Sequence, residues 1–232
     1  MKVAGKNPFS LDIQTGLFLF ESQTMRIMKE EQKKEKTLEA TGRLHAANGY
    51  GRFTLGEVAQ LAGVEDAWLE AEFADEAGLC HAWLISLHQH AEQRHREILE
   101  SSGTGLEKVR AYFDHLESWM RDNFYAGCPF TRTINSLGHD ESPEIRREVA
   151  YHKEFLLDFF VILSREFTES EDRANLLGWK LFLLYSAATT EAKNLQASWP
   201  IQRARAIAMD ACKAMETDKR LSVDMETPPL LN

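Results

Sequence analysis

The chain has 232 residues, 44% of them apolar and 27% charged, enough for a packed core and ordinary for a globular protein. Its three cysteines (Cys80, Cys128, Cys212) are scattered without a C-x-x-C pair, which argues against a disulfide scaffold and suits a reducing compartment. The formal net charge of −9 means that any role on nucleic acid needs a local basic patch.

Residues 1–24 read as an N-terminal extension. Its apolar cluster over 17–20 is too short and lies too far in for a secretory leader. No apolar run approaches the length of a membrane span, so the expectation is a cytoplasmic protein without a membrane role. A first helix is predicted from about Met25. It opens on the charged run KEEQKKEK, becomes amphipathic at Leu38, Thr41 and Leu44, and stops at Asn48-Gly49. Thr54, with Glu57 three residues on, is a capping box for a second helix carrying Leu55, Val58, Ala59 and Leu61. That helix ends at Ala62-Gly63, and a short third follows over about 65–71.

Asp75 caps a fourth helix reaching about 101, and Thr104 a fifth reaching about 123. Cys128-Pro129 opens a short sixth. Ser142-Pro143 supplies a cap and an N1 proline for a seventh, to about 167. Ser170 opens an eighth, to about 197, and Pro200 begins the last. Residues 217–232 are expected to form a flexible tail. The fold class is therefore all-α.

Two helices joined through Ala62-Gly63-Val64, after a longer first helix, match a helix-turn-helix. The stretch 37–79 resembles the head of the TetR family of transcriptional regulators. The matching positions are Leu38, Ala40, Leu44, Gly49-Tyr50, Thr54, Val58, Ala59, Ala62-Gly63-Val64, Leu69, Phe73 and Leu79. Of these, Leu44, Val58, Leu69 and Phe73, together with Leu61, are expected to fill the small head core. Further on, GCPF (127–130), LGHDESPEIRREV (137–149) and LLYSAATTEAKNL (183–195) are similar to the body of one large TetR subgroup. The resemblance implies a DNA-binding head over 25–80 and a ligand-binding and dimerisation domain over 81–216.

The last two long helices carry apolar stripes at three-four spacing. Leu177, Leu181, Leu184 and Ala188 lie on one, and Ala204, Ala208 and Ala211 on the other. The resemblance implies that these residues form the interface of a homodimer. Between the stripes and the head, Trp83, Trp119, Cys128, His152, Phe155 and Phe159 are candidates for a small-molecule effector site, since such sites are apolar with a few polar groups. Cys128, at a helix start, reads either as a thiol of lowered pKa or as an inert part-buried residue. His81, His88 and His95 recur every seven residues. Helical rise sets neighbours about 10 Å apart, too far for one ion, and no metal or cofactor is expected.

The head departs from a DNA reader in its charge. From Thr37 to Cys80 there are two basic residues (Arg43, Arg52) against eight acidic ones. Glu70 and Glu76 stand where the family places a phosphate-contacting Tyr and Lys. The candidate contacts to double-stranded DNA are Lys33, Lys34, Lys36, Arg52, Thr54 and Trp68, in the manner of a basic arm and a helix N-terminus. Two functions follow. One is a regulator, a repressor, whose DNA binding is modulated by an apolar or aromatic ligand. The other is a TetR-fold dimer whose acidic head ignores DNA and works through a protein partner or ligand. No Ser-His-Asp order, phosphate loop or carboxylate pair points to an enzyme.

Overall fold

The computed structural model describes residues 12–138 and 142–226, with side chains described over 26–138 and 142–217. Its elements are α1 (Asp12–Asn48), α2 (Leu55–Ala62), α3 (Asp66–Phe73), α4 (Glu76–Glu100), α5 (Gly105–Asp122), α6 (Pro129–Ser136), α7 (Pro143–Ser164), α8 (Glu171–Leu195) and α9 (Trp199–Glu226). No strand occurs among the described residues. No helix among them is long and apolar enough to cross a membrane.

Local signals set most helix ends. Thr54 accepts from the Glu57 N–H while the Glu57 carboxylate takes the Thr54 N–H, closing the capping box. Gly63 then ends α2 at φ 68°, a left-handed conformation that costs a glycine little. Asp75 caps α4 through the Gly78 N–H, and Thr104 with Glu107 forms a second capping box on α5. Ser142 differs from expectation. It sits at φ 45° without a side-chain cap bond, and its hydroxyl lies 3.4 Å from that of Tyr50. The N-terminal boundary differs too, because α1 passes unbroken from Asp12 through the expected start near Met25. At the other end α9 stays helical through Glu226, so residues 217–226 of the expected tail belong to that helix, while residues 1–11, the side chains of the 17–20 cluster and residues 227–232 lie outside the described set.

Apolar burial then gathers three clusters. The head core joins Ala40 of α1 to Phe53, Val58, Ala59, Leu69, Phe73 and Leu79. Each large side chain removed from water there contributes about 1.5–3 kcal/mol. Leu61, expected among them, is 47% exposed, because it falls on the outer side of α2. The body core runs through α5, α7, α8 and α9, around Phe113, Phe160, Leu163, Leu177 and Leu181. There α7 and α8 come close enough that a Cβ at Gly178 would lie 2.6 Å from Val161 Cγ2. A third cluster, with Cys80, Trp83, Leu84, Phe130 and Ile145, welds α4, α6 and α7 together where head meets body.

Candidate ligand cavity and head surface

A cavity of about 300 Å³ lies inside the body, walled by α4, α5, α6, α7 and α8. Tyr112, Leu116 and Trp119 come from α5, and Cys128, Pro129 and Phe130 from the start of α6. His152 and Leu156 come from α7, Tyr185 from α8, and Leu87 and His95 from α4. Of the six residues expected to hold a ligand, Trp119, Cys128 and His152 line this space. Phe155 and Phe159 do not line it but stack behind it on His95, at ring distances of 5.5 and 4.2 Å. Trp83 lines a second space of about 870 Å³, the groove between α1 and the body, where it packs on His45. Leu87, Trp119 and Pro129 border both spaces.

Histidines furnish much of the cavity wall, and burial lowers the pKa of His95 and His152. Burial, then the Lys153 charge, pushes His152 down to about 3, and burial pushes His95 down to about 4. His152 lies flat on Phe130 with ring centroids 3.6 Å apart, and its Nδ1 is 3.2 Å from that of His88. The seven-residue spacing of His81, His88 and His95 marked the α4 face from which His88 and His95 turn inward. What the sequence did not reveal is that His88 would meet a histidine from α7.

Cys128 sits at the N-cap of α6, 5% exposed, with the Lys153 ammonium donating toward its sulfur at 3.6 Å. Burial raises its thiol. Lys153, the Tyr185 hydroxyl and the Thr131 N–H and hydroxyl outweigh that effect and leave it below the ordinary value. Cys80 and Cys212 have no such set, and burial pushes both up to about 12.

Beyond its first turn, α6 grips the head. Arg132 donates to the Ala46 carbonyl at 2.9 Å, and Thr133 lies 2.9 Å from His45 Nε2. The same short helix therefore walls the cavity and holds the C-terminal end of α1.

The candidate DNA contacts are placed differently from expectation. Lys34 donates to Glu72 on α3 at 2.9 Å, and Lys33 pairs with Glu30 at 3.5 Å while its ammonium lies 5.4 Å from the Trp68 ring centroid. The Trp68 indole N–H donates to Glu30 at 2.7 Å, so this ring joins α3 to α1. Thr54 spends its hydroxyl on Glu57 as both donor and acceptor. Lys36 and Arg52 are exposed. The outward face of α3 shows Asp66, Ala67, Glu70 and Ala71, and no Lys or Arg occurs from Phe53 to Gln93.

The dimer stripe also requires a correction. Leu177, Leu181, Ala188, Ala204 and Ala208 are buried in the protomer's own core, so they have no surface to offer a second copy. Leu184 and Ala211 are only half-buried. The exposed apolar residues lie beside that stripe: Leu176, Trp179 and Leu183 on α8, and Trp199 and Ile207 on α9, each 54–61% exposed. Both faces of α8 are apolar, and the stripe at 177, 181 and 188 is the inner one.

This arrangement has close counterparts among solved structures. A TetR-family transcriptional regulator from Streptomyces coelicolor superposes with a TM-score of 0.68 at 19% identity, over 81% of this chain and 96% of that one. A TetR-family regulator from Agrobacterium tumefaciens gives 0.66 at 19%, over 78% and 97%. The chain has the TetR-regulator fold. A TetR regulator from Chloroflexus aurantiacus gives 0.66 at 18%, over 79% and 95%. No family model and no curated protein matches the sequence.

Proposed function

We propose that this chain is a homodimeric transcriptional regulator of the TetR type, a repressor that releases double-stranded DNA when a small apolar or aromatic effector fills the body cavity. The observation that carries this reading is the double duty of α6. Cys128, Pro129 and Phe130 line the cavity, and Arg132 and Thr133, one turn on, hold Ala46 and His45 at the end of α1. An effector that pushes on the first turn of α6 thereby acts on the head, and a difference in affinity between two head positions is all that coupling requires. Leu176, Trp179 and Leu183 share one face of α8 at three-four spacing and are all exposed, and a clustered apolar face of this kind supports a second copy as its cover. Twofold pairing would set two heads against a palindromic site.

The head surface favours a second reading. Seven carboxylates and no Lys or Arg lie between Phe53 and Cys80, and Lys34 is already paired with Glu72. A phosphate backbone is repelled by such a face, whereas a basic protein partner is not. In this reading the dimer keeps its cavity and acts on another protein. Retention of the chain's own upstream DNA at low salt, falling steeply as salt rises, supports the regulator. Absence of retention at low salt sinks it and leaves the protein partner.

A further inference from the structure

Cys128 lines the body cavity, and among the described residues it is the cysteine with a cation against its sulfur. The surroundings form a set. The Lys153 ammonium reaches the sulfur at 3.6 Å and lies 5.2 Å from the centroid of the Tyr185 ring, and Tyr185 lines the same cavity with its hydroxyl toward the sulfur. The walls beside it include the planar rings of Phe130 and Trp119 and the aliphatic Leu156. A second feature points to an occupant. His95 lines this cavity, is 7% exposed, and buries an Nδ1 that no group among the described residues pairs.

We propose that Cys128 is a covalent capture site for flat, apolar electrophiles carrying a conjugated carbonyl, with Lys153 as the proton donor. This rests on reading the cavity as a small-molecule site. A thiolate is a soft nucleophile that prefers an enone β-carbon to water or a hard carbonyl. The sulfur adds to that carbon and forms the C–S bond, while the C=C electron pair shifts to give an enolate. The enolate takes a proton from the Lys153 ammonium, and the lysine regains one from solvent. Thiol plus enone becomes thioether, with no oxidant and no leaving group. Lys153 and the Thr131 N–H at the start of α6 hold the thiol below its ordinary value, which raises its thiolate fraction at any given pH. The adduct would then sit against the first turn of α6, the element that grips the head.

The test uses the full chain with two probes of one shape, benzylideneacetone, which is electrophilic, and benzylacetone, its saturated and unreactive form. Intact-mass and peptide mapping should find a single adduct on Cys128, formed at least about tenfold faster than on Cys80 or Cys212 and lost in Cys128→Ser. Lys153→Met should slow it about tenfold at neutral pH and move the rate–pH midpoint upward, since one pKa unit is tenfold in thiolate. Lys153→Arg, which keeps the charge, should hold the midpoint in place. Calorimetry with benzylacetone reads cavity binding alone. Benzylacetone binding without alkylation of Cys128 overturns the capture site and leaves the cavity reading intact. Failure of both overturns both. Equal labelling of all three cysteines also overturns it, as does a Lys153→Met rate matching the parent in a protein of unchanged circular dichroism.

Discussion

His45 and Thr133 meet at 2.9 Å across the joint between head and body, a hydrogen bond buried from water on both sides. Burial, with the nearby Arg132 charge, pushes His45 down to about 3, so its imidazole is neutral and the contact is between uncharged groups. Removing the hydroxyl keeps the volume but orphans a buried ring nitrogen, which costs roughly 1–3 kcal/mol. In the proposed mechanism this bond carries the effector signal from α6 to α1. Thr133→Val should keep effector affinity within a few-fold while uncoupling it from the head's partner. Calorimetry for the effector and a partner-binding titration in its presence check this. A variant that still couples fully places the signal elsewhere.

The proposed interface gives a paired comparison on opposite sides of one turn of α8. Leu183→Glu places a carboxylate on a position 61% exposed in the protomer, so it should leave each protomer folded while splitting the dimer. Leu181→Glu buries an unpaired charge in the body core and should unfold the chain. Sedimentation with thermal melts reads both. A Leu183→Glu dimer as tight as the parent removes this face from the interface.

Acid should destabilise the protein through its buried histidines. His45, His95 and His152 have folded pKa values of about 3, 4 and 3, against an unfolded value near 6.5. The unfolded chain therefore binds protons first as pH falls. Stability is whole above about 6.5 and is lost progressively down toward 4 and 3, by up to about 1.4 kcal/mol per pH unit for each ring. His95→Phe, set between Phe155 and Phe159, should remove roughly a third of that slope. Urea midpoints between pH 7 and 5 measure it, and an unchanged slope in the variant counts against a neutral His95.

The acidic face of the head predicts a gain of function. Glu70 and Glu76 are both exposed. Changing both to lysine should raise non-specific duplex affinity and steepen its salt dependence by about one unit for each lysine that reaches a phosphate. Anisotropy titrations across salt read the slope. No change would mean that this side of the head does not face a duplex.

Helix ends were legible in the sequence because they are local. Thr54 with Glu57, Asp75 and Thr104 each sit within three residues of the group they satisfy. The exposed apolar side of α8 was not, because Leu176, Leu177, Trp179, Leu181, Phe182 and Leu183 make the helix apolar on nearly every side, and periodicity then cannot separate inside from outside. The same limit applied to Leu61 on α2, whose outer position depends on how α2 leans against α1. The use of Lys34 was hidden for another reason: its partner Glu72 is 38 residues away, and a mixed Lys/Glu run reads as solvated until the packing of α1 on α3 is known. In the cavity, Trp119, Cys128 and His152 stood out by residue type. Tyr112 and Tyr185 did not, since nothing in their spacing distinguishes a wall from a core.

One titration bears most directly on the account as a whole. Labelled DNA from the region upstream of the chain's own gene is titrated with the full chain at low and at moderate salt, with and without a saturating cavity ligand such as benzylacetone. The account expects binding at low salt, a decline in affinity over several decades as salt rises, and further release when the cavity is filled. Binding that is absent at low salt, or present but indifferent to the ligand, would contradict it.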